Sequence, residues 1–128
     1  MLRFASNPRN VAKVDSFVEK VVNRYKLSPD THGNILISLT EAVTNAIRHG
    51  NKNDENKKVE VKMEKSANKL SIRVCDEGHG FDYNSLPDPT QPCNRAKCGG
   101  RGVFLMRELS DRLEFLDNGR VVEMQFKI

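Results

Sequence analysis

Read from the N-terminus, apolar residues first recur at helical steps. Val11, Val14, Phe17, Val18, Val21, Val22 and Tyr25 fall three or four positions apart. That spacing puts them on one stripe and predicts an amphipathic helix from about Arg9 to Tyr25. Ser28-Pro29-Asp30 interrupts the stripe and supplies the start signals of a second helix. Ile35, Leu36, Leu39, Ala42, Val43, Ala46 and Ile47 give it an apolar side as far as about His49. Gly50 and the polar stretch after it end the helix.

The period then changes from helical to alternating. Val59, Val61 and Met63 alternate with charged residues, and Leu70, Ile72 and Val74 alternate with Ser71, Arg73 and Cys75. This predicts two antiparallel strands joined around Ser66-Ala67-Asn68. Leu113 and Phe115 lead into Asp117-Asn118-Gly119, and Val122, Met124, Phe126 and Ile128 alternate beyond it. Asn-Gly predicts a type I′ hairpin, whose two central positions need positive φ. Between the strand pairs, 82–100 is irregular, with three prolines and paired glycines, as long functional loops are. Val103, Phe104, Met106, Leu109 and Leu113 then suggest a third helix. Every strand has one apolar and one polar face, so helices should cover the sheet on one side only. The expected fold is a two-layer α+β sandwich.

Composition narrows the choice of class. A chain of 128 residues has room for one domain, taken as 1–128, and can fold without a disulfide or metal staple. Its apolar runs fall far short of the roughly 20 residues that span a bilayer, and MLRFASNPRN lacks the features of a secretory signal. These point to a cytoplasmic protein without a membrane partner. The odd set of Cys75, Cys93 and Cys98 suits a reducing compartment. Two thiols separated by four residues, with no second pair, favour free thiols over zinc. The net charge of +4 raises the question of nucleic acid, but the basic residues are mixed with acids, as in NKNDENKK, and no aromatics interleave. A solvated surface with a face suited to an acidic protein is the better reading.

Three clusters carry candidate chemistry. Glu41, Asn45 and His49 are four apart and line one helix stripe, with small Ala42 and Ala46 beside them that let another group approach. A solvated polar face is the alternative. The strand ending at Cys75 delivers Asp76, then Glu77-Gly78-His79-Gly80. A partly buried carboxylate there needs donors, and the amine of adenine is one that guanine does not offer in its place. The alternative is a plain tight turn. Gly99-Gly100-Arg101-Gly102-Val103 opens the third helix, where bare N–H groups and the helix dipole suit phosphate and Arg101 adds a cation. A flexible connector is the alternative, and no Gly-Lys-Ser/Thr follows to make a Walker loop.

Taken together, Glu41-Ala-Val-Thr-Asn45-Ala-Ile-Arg-His49-Gly50, Asp76-Glu-Gly78-His-Gly80-Phe81 and Gly100-Arg-Gly102-Val-Phe-Leu-Met106, followed by Leu109 and Asp111, form a family pattern. The sequence resembles the ATPase superfamily of gyrase, sensor histidine kinases and MutL (GHKL), and within it the small anti-sigma factor serine/threonine kinases of bacteria. The resemblance covers most of the chain, from an N-terminal strand to the last hairpin. It implies the GHKL (Bergerat) type of two-layer α/β sandwich, with a mixed or antiparallel sheet covered on one face by helices.

The resemblance further implies an ATP site with Mg²⁺. Asn45 would hold the metal through its side-chain oxygen, and Glu41 would be the general base for an incoming serine or threonine hydroxyl. Asp76 would read the adenine amine, with Gly78 and Gly80 making room for the base. Residues 82–100 would be the ATP lid, with Gly100, Arg101, Gly102 and Val103 cradling phosphates and Arg95 and Lys97 either reaching phosphate or facing water. His49 fits the pattern, with a structural hydrogen bond favoured over catalysis. The implied partners are a small anti-sigma antagonist of the STAS type and a sigma factor, with a homodimer as the implied assembly. Three other functions compete with this kinase. They are an ATP-binding module that acts by sequestration alone, a direct nucleic-acid binder, and a self-sufficient ATPase like gyrase, which would call for a transducer domain.

Overall fold

The computed structural model describes residues 1–78 and 100–128. Its elements are β1 (Leu2–Ala5), α1 (Lys13–Tyr25), α2 (Pro29–Asn45), β2 (Lys58–Lys65), β3 (Lys69–Cys75), α3 (Gly100–Leu109), β4 (Arg112–Leu116) and β5 (Val121–Lys127). The strands form one sheet in the order β1-β2-β3-β5-β4. Every neighbouring pair is antiparallel.

Alternation fixes which face of the sheet is buried. Val61 lies opposite Val74, Leu70 opposite Phe126, Ile72 opposite Met124 and Val74 opposite Val122, and all of these are buried. Val14, Val18 and Val21 of α1, Ile35, Leu39 and Val43 of α2, and Val103 and Met106 of α3 complete the same core. Each such side chain, fully buried, is worth about 1.5–3 kcal/mol of transfer free energy. The other face carries most of the charged strand residues, and Arg73 pairs with Glu123 at 3.3 Å and Arg3 with Glu60 at 3.7 Å. The α+β, one-sided sandwich expected from the pattern is the observed fold, with an antiparallel sheet.

Three details differ from the expectation. The first helix begins at Lys13 rather than Arg9, because Pro8–Ala12 forms a separate 3₁₀ turn started by the Asn7 side chain, which accepts from Arg9 N at 2.9 Å. The second helix starts as expected at its Ser28 cap, which accepts from Thr31 N at 3.2 Å, with Pro29 in the first turn. It stops being α-helical at Asn45, however, and Ala46–Gly50 follows as one wider π turn, closed by Asn51 N donating to Ala46 O at 2.8 Å. The last hairpin is present, but not as a two-residue type I′ turn. Four residues, 117–120, separate Leu116 from its partner Val121, and positive φ falls on Asp117 (50°) and Gly119 (88°).

Candidate functional site

The π turn brings the end of α2 against the end of β3. Gly50 backs directly onto the Asp76 carboxylate, where a Cβ on residue 50 would lie 2.3 Å from Asp76 Oδ2. Gly78 in turn lies against the Gly50 backbone. Asp76 Oδ1 accepts from Gly78 N at 2.8 Å, and Asp76 N donates to Arg120 O at 2.9 Å. Burial pushes the Asp76 carboxyl above its ordinary 3.8, against the pull of the Gly78 N–H and the Arg120 and Lys57 charges.

A second meeting point joins α2 to α3. Gly100, Arg101, Gly102 and Val103 form the first turn of α3. A Cβ on Gly102 would stand 2.9 Å from Glu41 Oε2 and 3.3 Å from Asn45 Nδ2. Only a residue without a side chain leaves both polar tips uncovered there. Asn45 is 8% exposed and its Nδ2 has no hydrogen-bond partner among the described residues, so a buried amide is left with donor capacity to spare. Val103 is buried in the core, which leaves only its backbone for contact with a ligand.

One cleft connects the two points. Ala42, Asn45 and Ala46 line it from α2, Val74 and Asp76 from β3, Met106 from α3, and Phe115, Gly119, Arg120 and Val122 from the last hairpin. It is narrow and open to solvent. Ala42 and Ala46 thus provide the close approach that their size suggested. Glu41, Asn45 and Gly102 lie together, and Asn45 and Asp76 share the cleft. His49 lies in the π turn, outside the α-helical stripe, and is exposed. Gly80, His79, Arg95, Lys97, Cys93, Cys98 and the expected lid up to residue 99 lie outside the described residues.

Two contributors escaped the sequence reading. Asn51, 1% exposed, ties the Asp76 turn to the sheet. Its Nδ2 donates to Ser6 Oγ at 2.7 Å and Lys58 O at 3.0 Å, and its Oδ1 accepts from Glu77 N at 2.8 Å. Glu77 Oε2 accepts from Lys58 N at 2.5 Å and closes the network. Nothing in the sequence marks Asn51 out from the polar run around it. Arg120 did carry a signal, because it stands in phase with the inward-facing Val122, Met124 and Phe126. Cys75 is a free, half-buried thiol whose pKa is pushed above its ordinary value by burial. Among the described residues no cluster of three His, Cys, Asp or Glu could hold a metal, and no helix is long and apolar enough to cross a membrane.

A one-sided antiparallel sandwich whose central helix, third helix and strand end converge on one cleft defines a class of nucleotide-binding ATPase and kinase domains. The chain belongs to the histidine kinase-like ATPase domain family, whose model matches residues 4–126. It is similar to the serine-protein kinase RsbW of Bacillus subtilis (strain 168), with 25% identity over 126 residues covering 94% of this chain and 79% of that protein. The RsbW of Bacillus velezensis is 28% identical over 127 residues, with the same coverage. That of Listeria innocua is 26% identical over 130 residues, covering 96% of this chain and 83% of the relative. In fold, the chain is similar to the histidine kinase domain of the blue-light activated histidine kinase from Erythrobacter litoralis EL346. That match has a TM-score of 0.61 at 18% identity and covers 93% of this chain but 59% of the other.

Proposed function

We propose that the protein is an ATP- and Mg²⁺-dependent serine/threonine protein kinase acting on a small anti-sigma antagonist of the STAS type. The observation that carries this reading is the convergence of Glu41 and Asn45 under the bare Gly102 turn, beside the cleft that Asp76 lines. Relatives named serine-protein kinases support it.

The residues fit the nucleotide and its metal. Asn45 offers an oxygen of the kind Mg²⁺ prefers and an N–H without a partner, which leaves a donor for a phosphate oxygen. Gly102 leaves the space that a Cβ would fill, and the start of α3 favours negative charge. Asp76 accepts from the adenine amine, with Gly78 and, by family likeness, Gly80 beside the base. Gly100, Arg101 and the Val103 backbone complete the phosphate cradle. Mg²⁺ supplies charge neutralisation at the transferring phosphate. Glu41 takes the proton from the substrate hydroxyl as its oxygen bonds to the γ-phosphorus and ADP departs. Likeness to the anti-sigma kinases also supports a sigma factor as a second partner and a homodimer as the assembly.

The test mixes the purified protein with a STAS-type antagonist, ATP and Mg²⁺ and follows phosphoserine and phosphothreonine by mass spectrometry. Phosphotransfer is expected, with a loss of about 10²–10⁴-fold in Glu41→Gln while ATP still binds. Transfer at the wild-type rate in that variant rules out Glu41 as the base. ATP binding with no phosphoprotein formed points instead to a module that acts by sequestration alone.

A further inference from the structure

We propose that Arg120 reads the purine together with Asp76, donating from Nε to the ring nitrogen that flanks the amine. The inference rests on the ATP-site reading above and adds to it a residue that fixes the choice of base.

Register places the two side chains. Cys75 lies opposite Val121 and Val74 opposite Val122. Asp76 therefore continues the inward-facing set of Ile72 and Val74, and Arg120 continues that of Met124 and Val122. The Asp76 N to Arg120 O bond of 2.9 Å extends the ladder by this one step. Directly opposed residues of an antiparallel pair share a face. An acid and a base thus occupy the end of an otherwise apolar double row, and both line the same cleft.

The hydrogen bonding of Arg120 is incomplete. Its ion pair is with Asp117, Nη1 to Oδ2 at 3.8 Å. Among the described residues its buried Nε has no hydrogen-bond partner, and a guanidinium N–H has no acceptor role to fall back on. A donor withdrawn from water without a partner is unfavourable, and an acceptor on a ligand in the cleft removes that deficit. The cleft therefore offers, beside one another, the Asp76 carboxylate as acceptor and Arg120 Nε as a spare donor, apart from Asn45 Nδ2, which the phosphate reading uses. Adenine presents the matching edge, an amine donor flanked by the acceptors N1 and N7. On its N1 side guanine presents the reverse, an oxygen acceptor beside an N–H donor. The two residues together favour adenine.

The experiment measures binding of ATP, GTP, 1-deaza-ATP and 7-deaza-ATP, each with Mg²⁺, by calorimetry. The proteins are the wild type, Arg120→Met, Arg120→Lys and Asp76→Asn, with thermal melts to verify folding. Arg120→Met keeps the aliphatic stem and removes every donor, while Arg120→Lys keeps the charge and removes the Nε–H. Expected are a loss of about tenfold for ATP in both Arg120 variants, equivalent to about 1.4 kcal/mol, and a similar loss for one deaza analogue with the wild type. That analogue should lose nothing further in Arg120→Met, because protein and ligand have each given up the same bond. If ATP binds and Asp76→Asn weakens it, but neither deaza analogue couples to Arg120, the inference is overturned and the ATP site stands. If the wild type does not bind ATP at millimolar concentration, the site reading and the inference both fall.

Discussion

Gly78 passes so close to Gly50 that a Cβ on residue 78 would lie 1.7 Å from the Gly50 carbonyl oxygen. The obstruction is backbone and cannot swing aside, so Gly78→Ala should cost about 1–3 kcal/mol. Gly50→Ala meets the Asp76 carboxylate instead and should weaken ATP binding through its displacement. Gly33, inside α2 with nothing within 4 Å of its would-be Cβ, provides the contrast. There alanine should stabilise by about 0.5–1 kcal/mol. Urea unfolding of the three variants checks the order, and a Gly78→Ala protein as stable as wild type would contradict the close approach.

Gly102→Ala should separate stability from binding. Its Cβ meets the mobile end of Glu41 at 2.9 Å and Asn45 Nδ2 at 3.3 Å, while α3 gains about 0.5–1 kcal/mol of helix propensity. A melting temperature at or above the wild type is expected, with Mg·ATP affinity down by about tenfold or more. Unchanged affinity would mean that phosphates do not occupy the space between α2 and α3.

Asp76 gives opposite pH trends for folding and binding. Its carboxyl pKa is raised in the folded protein, mainly by burial. Its contribution to stability is therefore fully present below the unfolded value near 3.8 and is lost as pH rises through the higher folded value. Asp76→Asn should raise the stability of the nucleotide-free protein at neutral pH and remove this part of the pH dependence. ATP affinity should fall as pH drops through the folded pKa, because the protonated carboxyl is uncharged and a weaker acceptor for the amine. Denaturant titrations and calorimetry across the acidic range read both trends.

Two buried polar side chains should respond in opposite senses to alanine. Asn51 serves Ser6, Lys58 and Glu77 at once, so Asn51→Ala leaves several groups unpaired and should cost about 3 kcal/mol. Ser38 is fully buried and its Oγ has no partner among the described residues. Ser38→Ala should stabilise by about 0.5–1 kcal/mol. Equal effects in denaturant unfolding would contradict the contrast in hydrogen bonding.

Much of this architecture was legible because one-dimensional periodicity reports one-sided burial. The valine stripe of α1 and the alternation of β2, β3 and β5 each reveal a face without reference to any partner. β1 gave no such signal, since Phe4 is the only buried residue among its four; it entered only through the family likeness. The π turn at Ala46–Gly50 was invisible too, because its apolar residues fit an α-helix as well. Within the site, Glu41, Asn45 and Asp76 announced themselves by spacing and by position at a strand end. Asn51 acts through partners up to 45 residues away, and separation of that kind leaves no local pattern. Arg120 was readable in principle, as a charge in the phase of buried residues.

The cleft has no local version. Its walls come from α2, the end of β3, α3 and the last hairpin, and a chain that has lost any one of them has lost the binding surface. Nucleotide therefore acts as a ligand of the whole native state. At a hundred times its Kd it would deepen that state by about 2.7 kcal/mol, and protection from proteolysis would rise and fall with the supply of ATP even where no partner is present.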